Sequence, residues 1–83
     1  MLNIKLDDKY KSELSVEEMV KKIGATKMLR LEQWKGEEAW RGGIGWYSTR
    51  DYEFICEFGT LEDVLQRLVY YVENEAEKYD RHH

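Results

Sequence analysis

The sequence predicts a small α+β domain, a (β)αβββα chain in which an antiparallel sheet of three to four strands packs against two helices. Three observations carry this reading. Apolar residues recur at helical spacing over 15–23 and again after residue 60, each time behind a capping residue. Between these stretches, over 26–58, the apolar period is two, interrupted by turn-forming residues. The length of 83 residues, without proline, repeat or low-complexity tract, holds a single domain. Within it, 1–14 reads as edge strand and loop, 15–77 as the compact core and 78–83 as a frayed tail.

Taken in order, residues 2–6 alternate apolar and polar and predict a short edge strand, and 7–14 read as a loop. Ser15 and Glu18 form a capping box, behind which Val16, Met19, Val20 and Ile23 make one apolar stripe. Gly24 is expected to end that helix in a left-handed conformation. From Thr26, Lys27, Leu29, Leu31 and Gln33 share one face of a strand, while Met28, Arg30, Glu32 and Trp34 share the other. Residues 35–38 turn the chain, and 39–48 put Trp40, Ile44 and Trp46 on one face of a second strand. Gly42, Gly43 and Gly45 in that strand predict a bulge, a strong twist or a close backbone approach. After a turn at 49–51, Tyr52, Phe54, Cys56 and Phe58 alternate with Asp51, Glu53, Ile55 and Glu57. Thr60 caps the last helix, whose stripe is Leu61, Val64, Leu65, Leu68, Val72 and Tyr71, and which runs to about residue 77.

Composition excludes several classes of function. Hydrophobic residues are 42% of the chain and aromatics 13%, too many for a disordered acidic tail. No apolar run approaches the roughly 18 residues that a membrane span needs. The first residues are too few and too charged for a signal peptide, so a cytoplasmic protein is expected. One cysteine, Cys56, excludes an internal disulfide and a cysteine-based zinc site; on its strand face it reads as a buried structural thiol. The two histidines, His82 and His83, lie in the tail, so no Ser-His or Cys-His pair is available and no metal or cofactor site is expected. Gly42-Gly-Ile-Gly45 precedes Trp46-Tyr47 and another strand instead of a helix N-terminus, which argues against a phosphate loop. No carboxylate pair stands out for acid–base work. The chain therefore reads as a non-enzyme.

Charge gives the positive lead. The net charge of −4 divides unevenly, with 10 basic and 8 acidic residues in 1–50 against 3 basic and 9 acidic in 51–83. The second half can present a negative surface to a basic, nucleic-acid-binding protein through Glu53, Glu57, Glu62, Asp63, Glu73 and Glu77. Trp34, on the face opposite Leu29 and Leu31, and Tyr52 are the aromatic candidates for the same interface. The αβββα order resembles double-stranded-RNA-binding domains in topology. Their second helix starts lysine-rich, whereas this one starts Thr60-Leu-Glu-Asp63, so direct nucleic-acid binding is disfavoured. A nucleic-acid-associated domain using the basic residues of the first helix and first hairpin, Lys21, Lys22, Lys27, Arg30 and Lys35, or a homo-oligomeric structural protein such as a homodimer, are the alternatives.

One further likeness attaches to residues. Cys56-Glu-Phe-Gly-Thr-Leu-Glu-Asp-Val-Leu65, a strand running into a capped helix, resembles the strand–Gly–Thr–Leu–Glu–Glu–Ala–Leu junction of HicB-type antitoxins and related small phage or prophage proteins. The likeness covers about residues 52–77. It departs from that family in lacking a proline before the cysteine and a separate DNA-binding segment after the helix. The resemblance implies a partner-neutralising protein, not an enzyme, that does not regulate itself through DNA; size, charge and this motif together point to a phage or mobile element, in the manner of antitoxins and anti-CRISPR or other anti-defence proteins. Together with the charge, it leads to an expected inhibitor that binds a basic target by acidic surface mimicry.

Overall fold

In the computed structural model, residues 5–76 are described. The described part of the loop after Lys5 contains a 3-10 turn, Asp8–Tyr10, and is followed by α1 (Val16–Gly24), β1 (Met28–Glu32), β2 (Trp40–Gly45), β3 (Tyr52–Phe58) and α2 (Leu61–Asn74). The strands form one antiparallel sheet in the order β1-β2-β3. Both helices lie on the same side of it, α2 across β2 and β3 and α1 against β1 and α2. The result is the α+β architecture the periodicities predict, with three strands among the described residues. Of the expected edge strand at 2–6, Lys5 and Leu6 belong to no strand; Leu6 is instead buried in the core as an isolated apolar plug. Residues 2–4, Glu77 and the tail with His82 and His83 lie outside the described residues. No helix among the described residues is long and apolar enough to cross a membrane.

Local chemistry sets the element ends. The Ser15 hydroxyl accepts from the Glu18 amide at 3.2 Å, and the Glu18 carboxylate accepts from the Ser15 amide at 3.0 Å. Those bonds hold the Glu18 carboxyl below its ordinary pKa. Thr60 does the same work for α2, its hydroxyl accepting from the Asp63 amide at 3.2 Å. Gly24, however, ends α1 without a left-handed residue. Ala25 is right-handed, and its amide and those of Thr26 and Lys27 close successive tight turns onto Lys21 and Ile23. The glycine that does take positive φ is Gly36, at 84°, in the Trp34–Glu37 turn. The predicted α1 stripe is only half used: Met19 and Ile23 are buried, while Val16 and Val20 stay exposed because α1 meets its neighbours along a narrow strip.

The sheet's covered face is built from Leu29, Leu31, Trp40, Ile44, Trp46, Cys56 and Phe58, packed on Val64, Leu65 and Leu68 of α2. Gly42 sits on this face because α2 leaves no room for a side chain: a Cβ there would collide with Val64, and Leu68 would be 2.9 Å away. The bulge that the glycines predict falls opposite the Gly42–Gly43 pair. Gly42 faces Cys56 and Gly43 faces Phe54, so Ile55 has no partner across the ladder. One unmatched residue reverses the alternation of everything before it. Phe58 and Cys56 point into the core, but Tyr52 and Phe54 emerge on the opposite side, and Glu53 turns to the helix side, where it stays exposed. The expectation that Phe54 shares a face with Cys56 and Phe58 is therefore corrected, and the cause is the bulge.

Candidate functional site

The side of the sheet away from the helices carries no covering element among the described residues, and the register decides what it displays. Along β2 it presents Arg41, Gly43 and Gly45. These are flanked by Glu57, Phe54 and Tyr52 from β3 and by Glu32, Arg30 and Met28 from β1. The two glycines leave a floor without side chains. Tyr52 lies down on that floor, so that a Cβ on Gly43 would collide with its ring. The Arg30 guanidinium stacks over the same ring, 4.5 Å from its centre. Burial pushes the Tyr52 hydroxyl above its ordinary pKa.

From Arg30 the contacts run on across the face. Arg30 Nε pairs with Glu32 Oε1 at 3.0 Å, and the Trp34 indole N–H donates to Glu32 Oε2 at 3.3 Å. Arg41 stacks on Trp34 at 4.4 Å and pairs with Glu57 through Nε at 2.9 Å and with Glu37 through Nη2 at 2.8 Å. Its Nη1 is buried with no acceptor. The Glu37 bond is the main reason the Arg41 guanidinium sits above its already high pKa. Each arginine is thus fixed between an aromatic ring and a carboxylate, while the rings keep much of their surface open: Trp34 is 57% exposed, Phe54 54% and Tyr52 39%. Exposed rings of this size on one sheet face are uncommon on a surface with no partner.

The predicted site residues divide between two surfaces. Trp34, Tyr52 and Glu57 meet on the open face. Glu53 points to the other side, where its carboxylate accepts from the Tyr71 hydroxyl at 3.0 Å. Glu62, Asp63 and Glu73 belong to α2. Glu62 is exposed, Asp63 borders an open cleft with Lys5, Leu6, Asp8 and Lys11, and Glu73 pairs with Lys22 of α1 at 3.4 Å. The acids therefore do not form one continuous patch. Arg30 and Arg41 lie on the open face, as alternation along β1 and β2 already places them, but Phe54 escapes a reading by alternation because the bulge changes its side; the Gly42-Gly43 pair is the signal that marks the place.

The remaining chemistry is quiet. Cys56 is buried with its sulfur 3.8 Å from the Val64 carbonyl, and burial pushes the thiol up to about 12, so it carries no reactive thiolate at neutral pH. Among the described residues no group of three His, Cys, Asp or Glu side chains is placed to hold a metal ion.

Compared with models of protein families, with curated proteins and with solved structures, the chain matches none.

Proposed function

We propose that this chain is a non-enzymatic protein-binding module that docks through the uncovered face of its sheet and acts by occupying a partner's surface. The observation that supports this is the display of Trp34, Phe54 and Tyr52 on one side of one sheet, two of them stacked with arginines. Tryptophan, tyrosine and arginine are the residues that dominate binding hot spots. Burying a phenylalanine is worth roughly 2–3 kcal/mol, and a domain that buries only about 60% of its unfolded surface can ill spare it. Turning Phe54 outward makes sense if the ring is buried in a complex. Occlusion is a sufficient mode of action for so small a body, and it is the manner in which antitoxin-like or anti-defence inhibitors work.

The experiment is affinity capture from the source cell with the wild-type chain and with a Trp34→Ser, Phe54→Ser double variant. Both side chains are exposed, so the variant should melt within a few degrees of wild type. The reading expects a protein retained in stoichiometric amount by the wild type and lost by the double variant. Equal retention by both refutes the open face as the contact surface.

A further inference from the structure

We infer that the open face receives arginine and lysine side chains from the partner protein, which stack on Trp34 and Phe54 and pair with Glu37 and Glu57. The inference rests on the protein-binding reading above and names the chemistry of the partner. The face itself shows how the recognition would work, because it already binds cations of its own in the same way: Arg30 lies on Tyr52 and Arg41 on Trp34, each with a carboxylate at its edge. The negative face of an aromatic ring attracts a cation most strongly when a carboxylate completes the pair. Phe54 is the exposed ring of this surface without an arginine stacked on it.

The charge count points the same way. Among the described residues, the two arginines that stack on rings of this face pair with three carboxylates, Glu32, Glu37 and Glu57, an excess of one negative charge within that network. Glu37 and Glu57 each hold Arg41 through a single oxygen, which leaves the second oxygen of each for an incoming donor. The whole chain is at −4, so a basic partner is steered toward it and an acidic one away. A nucleic-acid backbone would find rings to stack on, but its phosphates would have to approach three carboxylates, both arginines are already ion-paired, and the unpartnered donor, Arg41 Nη1, is buried out of their reach. Protein cations fit this surface better than phosphates do.

The test uses the full chain, labelled with nitrogen-15, titrated with an arginine–glycine decapeptide, a glutamate–glycine decapeptide and a single-stranded oligothymidine. With the arginine peptide, shifts are expected at Gly43, Gly45, Phe54 and the Trp34 indole N–H, while α1 stays still. Trp34→Ala and Phe54→Ala, which leave the charge unchanged, should each weaken the arginine peptide about fivefold, in keeping with a cation–ring contact. Glu57→Gln should weaken it more than Glu13→Gln, which alters the net charge equally from an exposed site before α1. Four results overturn the inference: no binding, shifts confined to the helices, indifference to the aromatic substitutions, or tighter binding of the oligothymidine. If the arginine peptide fails but the Trp34, Phe54 double variant still loses its captured protein, the docking face stands and the cationic partner falls. If capture is also unaffected, both fall.

Discussion

The two sides of this sheet are made by the same three strands, yet they follow opposite rules. On the covered side Gly42 is a glycine because α2 presses against the backbone, and every large side chain is packed away. On the open side Gly43, its neighbour, is a glycine because the Tyr52 ring lies across it. The first arrangement makes a core and the second a flat, ring-lined surface held by ion pairs. The contrast teaches that one unpaired residue, Ile55, is enough to divide β3 into a structural half and a displayed half.

The contrast can be broken most severely from the covered side. Leu68→Ala removes a fully buried side chain from beneath Gly42 and should cost about 2–5 kcal/mol in equilibrium denaturation. Met28→Ala, on the open side of β1, should cost clearly less. Next come the adjacent glycines. Gly42→Ala drives a methyl group into Val64 and Leu68, an overpacking expected to cost about 1–3 kcal/mol. In Gly43→Ala the nearest atoms the methyl meets belong to the exposed Tyr52 side chain, which can give way toward solvent at the expense of its Arg30 stack, so stability should change by less than about 1 kcal/mol. That variant should nevertheless lose the Arg30–Tyr52 stack and, with it, affinity for the arginine peptide. Similar melting curves for the two glycine variants would contradict the division of faces.

A further effect is a matter of pH, and it stays hidden at neutral pH. Burial raises the Cys56 thiol from 9.0 to about 12, so the unfolded chain releases that proton first. Its contribution to stability is complete below about pH 9 and is lost as the pH climbs toward 12. At pH 8 a thiol-reactive chromophore should label the denatured protein at once and the native protein only through unfolding. Rapid native labelling would place Cys56 on the open side.

Much of this was legible from the residues alone. Ser15, Glu18 and Thr60 announce their helices because a cap is a local device. The alternation of Leu29 and Leu31 against Arg30 and Glu32 gives β1 its faces, and with them the exposure of Trp34. What the pattern hides is parity across a bulge. Tyr52-Glu-Phe-Ile-Cys-Glu-Phe58 reads as one unbroken alternation, and only the pairing of β3 with Gly42 and Gly43 shows that it changes sides. The acidic residues illustrate a second limit. Glu53, Glu57 and Glu73 count alike in a charge sum, but the fold commits them to Tyr71, Arg41 and Lys22. Sequence proximity does not reveal such partners, which are 18 residues apart for Glu53 and Tyr71.

Two phenylalanines on one strand offer the most direct measurement. Phe58 is 8% exposed and Phe54 54%. Equilibrium denaturation of Phe58→Ala should show a loss of about 3–5 kcal/mol, and of Phe54→Ala less than about 1 kcal/mol. That asymmetry, with partner binding lost in the Phe54 variant, is what a displayed half of β3 requires. Equal losses of stability would mean that Phe54 belongs to the core and that the open face is not the surface described.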